Sequence, residues 1–195
     1  MHTMKILLLT IALCLVTIGV NAQVIPDIQL DTARANQFIA ESSLAYEKGK
    51  LELAFQLADS AQAIFERHVG SRCEGVADAL EGKAFCLLKG GKAAAATPYL
   101  DSAQVILAGL FGLEHPKMAD FWFNVGDQYF AIRDLDKALY FHQKALTIRH
   151  SSTLANQDDL MLSYKMLAVI CQTKGWYDKT IEYDNKALEV GISRY

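Results

Sequence analysis

His68, His115, His142 and His150 are the residues of this chain best suited to metal ligation or to proton transfer near neutral pH, because an imidazole can lend a lone pair or move a proton there. No two of them stand at the i, i+4 interval that places both rings on one helix face, and no Cys-x-x-Cys accompanies them. Serines are plentiful, but no Gly-x-Ser-x-Gly turn is there to expose a nucleophile, and Gly90-Gly91-Lys92 lacks the rest of a phosphate-binding loop. Cys73, Cys86 and Cys171 make an odd number at spacings unlike a disulfide framework. Cys86 and Cys171 fall among apolar neighbours and are expected as buried thiols, which leaves Cys73, in a loop, as the candidate for exposed thiol chemistry. These residues predict a chain that catalyses nothing and carries neither metal nor cofactor.

The elements that position these side chains repeat. Ala61, Ala103, Ala145 and Ala187 stand 42 residues apart, with Ala54, Ala96, Ala138 and Thr180 seven residues upstream. Gly49, Gly91, Arg133 and Gly175 form another column, and Ser42, Ala84, Gly126 and Ala168 a further one. Self-similarity at a period of tens of residues means one supersecondary unit stacked on copies of itself. Within a unit, Ala54 and Ala61 lie two helical turns apart on one face, where small side chains let a neighbouring helix approach closely. Gly126 gives up about 1 kcal/mol of helix propensity relative to alanine, so close packing is expected to offset it. No segment alternates apolar and polar residues as a half-exposed strand does, so the fold is expected to be all-α, with eight helices in four pairs. Asp31 is expected to cap the first helix after a short lead. Pro98 leaves two readings open, a helix that starts late or one that bends.

Residues 1–22 read as a secretory signal: Lys5, an apolar stretch from Ile6 to Val20, and a small-residue cleavage site at Val20-Asn21-Ala22. The apolar run is shorter than the roughly 20 residues needed to span a bilayer. Export, to a periplasm or the cell exterior, is therefore expected, with no membrane span in the mature chain. Removing the signal takes away Lys5 and shifts the formal charge from -3 to -4, a mild acidity that argues against nucleic-acid binding.

The linked columns resemble the tetratricopeptide repeat (TPR). The third unit matches best, with Trp122, Val125, Gly126 and Tyr129, then Leu135-Asp136-Lys137-Ala138-Leu139 and Lys144-Ala145-Leu146. The 42-residue period, with His115-Pro116 leading into a first helix, is similar to the longer variant of kinesin-light-chain-like arrays. The resemblance implies a right-handed α-solenoid with a lead at 23–34, repeats at 35–76, 77–118 and 119–160, and a fourth at 161–195 without a capping helix. The structural columns would then be Ala54, Ala61, Ala96, Ala103, Gly126, Ala138, Ala145, Ala168 and Ala187.

In the resembling fold the first helices line a concave groove. The groove-facing positions implied here are Asp78, Glu81, Phe85, Asp120, Phe123, Asn124, Asp127, Phe130 and Lys165, with Tyr46 in the first repeat. Such a lining would suit a protein or peptide segment with basic and apolar side chains. The alternative is a solvated acidic face whose aromatics belong partly to the core. The family's carboxylate clamp, which pairs asparagine with lysine or arginine across adjacent helices, is not expected: Asn124 stands alone in its column beside Ala40, Gly82 and Met166. Ile181, Leu188 and Ile192 on the last helix are expected to be apolar and uncovered, which admits end-to-end self-association. Two further readings stay open: the sensing or substrate-binding part of a longer or split effector, such as a sensor-kinase or caspase-like peptidase system, and a structural spacer.

Overall fold

A computed structural model of the chain describes residues 24–152 and 156–192. The expected signal segment, 1–22, lies outside them. All regular structure among the described residues is helical: α1 (Val24–Glu47), α2 (Leu51–His68), α3 (Glu74–Lys89), α4 (Ala93–Phe111), α5 (Pro116–Ala131), α6 (Leu135–Ser151), α7 (Gln157–Thr173) and α8 (Tyr177–Ile192). Consecutive helices pack as the hairpins α1–α2, α3–α4, α5–α6 and α7–α8, and the first helices α1, α3 and α5 also lie against one another in series. The architecture is an all-α solenoid of helical repeats.

The turn column explains why each hairpin closes. Gly49, Gly91 and Gly175 have φ of 72°, 74° and 76°, and Arg133, in the same column, has φ of 67°. In each turn the amide of this residue donates three residues back and the next amide donates five back: Gly49 to Tyr46 and Lys50 to Ala45, Arg133 to Phe130 and Asp134 to Tyr129, and likewise in the other two. That pair of bonds is the Schellman closure, which needs a left-handed residue past the helix end. Glycine adopts that conformation without a Cβ clash, so Arg133 holds the same turn under strain.

The alanine columns lie where helices approach. Ala54, Ala61, Ala96, Ala103, Ala138 and Ala145 have no accessible surface, and Ala168 and Ala187 have almost none. At Gly126 an added Cβ would stand 2.8 Å from the His142 ring, so the missing side chain makes room for an imidazole from α6. Rings fill the space around it: Trp122 stacks on Phe141 at 5.3 Å between centroids, and Phe141 stacks in turn on Tyr129 at 5.3 Å.

One local expectation changes, and one of two open readings falls away. Asp31 does not cap α1, which is already helical from Val24; it lies inside the helix and its Oδ2 meets His68 Nε2 of α2 at 2.9 Å. Pro98 does not delay α4, which starts at Ala93 and runs through it. Ala94, whose carbonyl would have accepted from residue 98, is on the exposed side, so water can satisfy the acceptor that proline leaves open.

Candidate partner-binding groove

α3 and α5 bring the acidic residues together. Asn124 Nδ2 of α5 donates to Glu81 Oε1 of α3 at 3.1 Å, and Lys117 Nζ of α5 reaches Glu74 Oε1 of α3 at 2.5 Å. These two cross-links hold Asp78, Glu81 and Asp120 in one half-exposed strip. Burial pushes the Glu81 carboxyl up to about 8; the Asn124 hydrogen bond opposes that rise, and the charges of Asp78 and Asp120 add to it. Asp78 rises to about 6, chiefly through burial and then through Glu74, with Lys117 opposing. Asp78 and Glu81, whose charging is disfavoured by desolvation and by neighbouring carboxylates, gain when a cation arrives.

The remaining groove positions behave differently. Phe85 and Phe130 are half-buried, each packed on the core with part of its ring outside. Phe123 corrects the expectation of an exposed ring: it is 8% exposed, edge-on to His142 at 4.8 Å, with the Arg149 guanidinium 4.7 Å over its face. Asp127 does not join the strip but turns to His142, whose Nε2 lies 3.3 Å from its Oδ1 in a geometry short of a hydrogen bond. Asp120 is shared, since Arg149 of α6 binds its Oδ1 at 2.8 Å. Lys165 is exposed on α7.

Two buried cations stand in this part of the array: Lys83, which departs from the large apolar residue usual in its column, and Arg149, which sequence reasoning missed. Arg149 also donates to Ser163 Oγ at 2.7 Å and to the Asp159 carbonyl at 3.0 Å, which ties α6 to α7. Lys83 is buried in α3, where it pairs with Asp59, donates to Gln62 Oε1 at 2.8 Å and lies 5.4 Å above the Phe55 ring. The available signal for Arg149 was a charge after Phe65 and Leu107 at the 42-residue interval; the column of Lys83 holds Glu41 before it and Val125 and Leu167 after it. Cys86 and Cys171 are buried, and burial raises both thiols, Cys86 to about 11, away from the reactive thiolate; Cys73 is half-buried.

Solved structures with the same arrangement of hairpins decide the fold. BtubC (BKLC) from P. vanneervenii superposes with a TM-score of 0.66 at 20% identity, covering 82% of this chain and 64% of that one. A Podosopora anserina putative kinesin light chain with nearly identical TPR-like repeats gives 0.64 at 16% identity, covering 84% of this chain and 78% of its own. A variant of that same light chain gives 0.52 at 14% identity, covering 84% and 98%. The fold is that of TPR-like repeat proteins. The chain thus spans slightly less than two thirds of BtubC. No protein-family model matches it, and no curated protein sequence does. In the TPR-like frame α1, α3, α5 and α7 are the first helices of their hairpins, and the acidic strip lies between two of them. No helix among the described residues is long and apolar enough to cross a membrane.

Proposed function

We propose that the chain is an exported, non-catalytic scaffold that holds a protein or peptide segment in the groove of its first helices, and that this segment carries basic side chains beside apolar ones. The observation that carries this reading is the strip of Asp78, Glu81 and Asp120 across α3 and α5, in which burial and neighbouring carboxylates raise Asp78 and Glu81, with Asn124 as the neutral donor to Glu81. Phe85 and Phe130 offer ring surface beside them. A lysine or arginine placed over the strip would relieve the repulsion while its apolar neighbours cover the rings. A sensing or substrate-binding portion of a larger or split effector would use the same surface.

Fluorescence-anisotropy titration with a labelled peptide alternating lysine and phenylalanine tests the reading. Asp78→Lys is expected to weaken binding at least tenfold, roughly 1.4 kcal/mol. An unchanged Kd would return the chain to the role of spacer. Self-association through α8 is a separate proposal, supported by the exposure of Ile181, Leu188 and Ile192. It predicts a concentration-dependent sedimentation coefficient that Leu188→Glu abolishes; a single monomeric species in the unaltered chain would dismiss it.

A further inference from the structure

Units of a solenoid touch only their immediate neighbours, so each joint bends independently of the next. One hydrogen bond departs from that rule. The Tyr46 hydroxyl, at the end of α1, donates to Gln128 Oε1 of α5, passing over α3 to join the first hairpin to the third. The Tyr46 end of the span is held in addition. Lys89, at the end of α3, stands 4.2 Å above the Tyr46 ring and donates from Nζ to the Tyr46 carbonyl at 3.1 Å. The bond lies in a half-buried setting, where an amide and a phenol gain more from pairing than they would in water. Burial, with Cys86 adding to it, pushes the Tyr46 hydroxyl up to about 12, so it keeps the proton it donates. The pair does not recur along the array: the 42-residue register puts Leu88, Phe130 and Gln172 in the column of Tyr46, and Leu44, Cys86 and Ile170 in that of Gln128.

We propose that Tyr46, Lys89 and Gln128 form a latch that couples the first two joints of the array and so fixes the curvature of the groove along α1, α3 and α5. With the latch closed, α1 and α5 cannot separate by bending at either joint alone. A ligand then meets a groove already near its bound shape, which lowers the ordering cost of capture; this consequence rests on the groove reading, while the coupling does not.

The test is a pulsed electron-spin distance between nitroxides at Ala63→Cys on α2 and Gln143→Cys on α6, both exposed positions, in a Cys73→Ser background. Tyr46→Phe keeps the ring and its contact with Lys89 and removes the hydroxyl alone, so the fold is retained. The latch predicts loss of the single narrow distance distribution in Tyr46→Phe, the same loss in Gln128→Leu, and no further change when the two are combined. A distribution unchanged by Tyr46→Phe overturns the proposal, as do additive effects of the two substitutions. Should Gln128→Leu unfold, Tyr46→Phe alone decides. An unchanged distance beside intact peptide binding would remove the latch and leave the groove; a changed distance without peptide binding would do the reverse.

Discussion

The third and fourth hairpins share their small-residue columns and part company on the face that looks along the array. In α6 that face carries His142 and Arg149, both buried, in columns where α2 has Ala58 and Phe65 and α4 has Leu100 and Leu107, all buried as well. In α8 the same columns hold Asp184, exposed, and Gly191, half-buried, while Ile181, Leu188 and Ile192 stand in solvent beside them. The alanines set the spacing inside each hairpin and persist but for Thr180 in the fourth. The residues between hairpins answer to whatever covers them, so they vary from apolar to charged.

The contrast breaks most easily at Arg149. Arg149→Ala takes the ion-pair partner from Asp120 and a donor from Ser163 Oγ and from the Asp159 carbonyl, which keeps its bond from Ser163 Oγ, and is expected to lower stability by about 2 kcal/mol in urea unfolding. A loss below about 1 kcal/mol would mean that the α6–α7 joint is held by its apolar contacts alone.

Two glycine substitutions sharpen the same comparison. Gly126→Ala forces a Cβ to within 2.8 Å of the His142 ring, and the overpacking, about 2 kcal/mol, outweighs the helix propensity gained. Gly191→Ala meets Met161 Sδ at an ordinary 3.7 Å and is expected to stabilise α8, by up to about 1 kcal/mol. Thermal unfolding with opposite signs for the two variants is the expected result; the same sign for both would refute the packing account of the Gly126 column.

The acidic strip adds a pH dependence between these magnitudes. Glu81 keeps its proton more firmly folded than unfolded, so its contribution is complete below about pH 4.5, the ordinary value, and is lost as pH rises toward about 8. Glu81→Gln removes that loss. The variant's advantage in urea is expected to grow from pH 4.5 to 8 and to stay level above. An advantage that shrank with rising pH would contradict the desolvation of the strip.

The smallest effect belongs to the turn. Arg133→Gly should stabilise by about 1 kcal/mol, because it releases the one non-glycine residue with positive φ among the described residues. Chemical denaturation compares it with Gly91→Ala, which should lose a similar amount.

Much of the fold was legible because period, small residues and turn glycines all act through backbone geometry, which the sequence writes at fixed intervals. The α3–α5 strip was legible in part: Asp78, Glu81, Asp120 and Asn124 meet because α3 and α5 lie side by side. Phe123 lies buried and Asp127 turns toward His142, since helical register alone cannot tell how far a neighbouring helix draws a side chain in. His142 and Arg149 draw them inward, and that pull is visible only when α6 lies beside α5. The Tyr46–Gln128 bond was out of reach for a related reason, because the two side chains meet only through the curvature of three hairpins.

Isothermal titration calorimetry of the lysine–phenylalanine peptide at pH 6 and pH 8, in buffers of different ionisation enthalpy, tests the groove most directly. Tighter binding at pH 8, with proton release to the buffer that Asp78→Asn/Glu81→Gln suppresses and with little heat from a glutamate–phenylalanine peptide, is the expected result. Equal binding of both peptides, or proton release unchanged in the double variant, would contradict the groove as a receptor for basic segments.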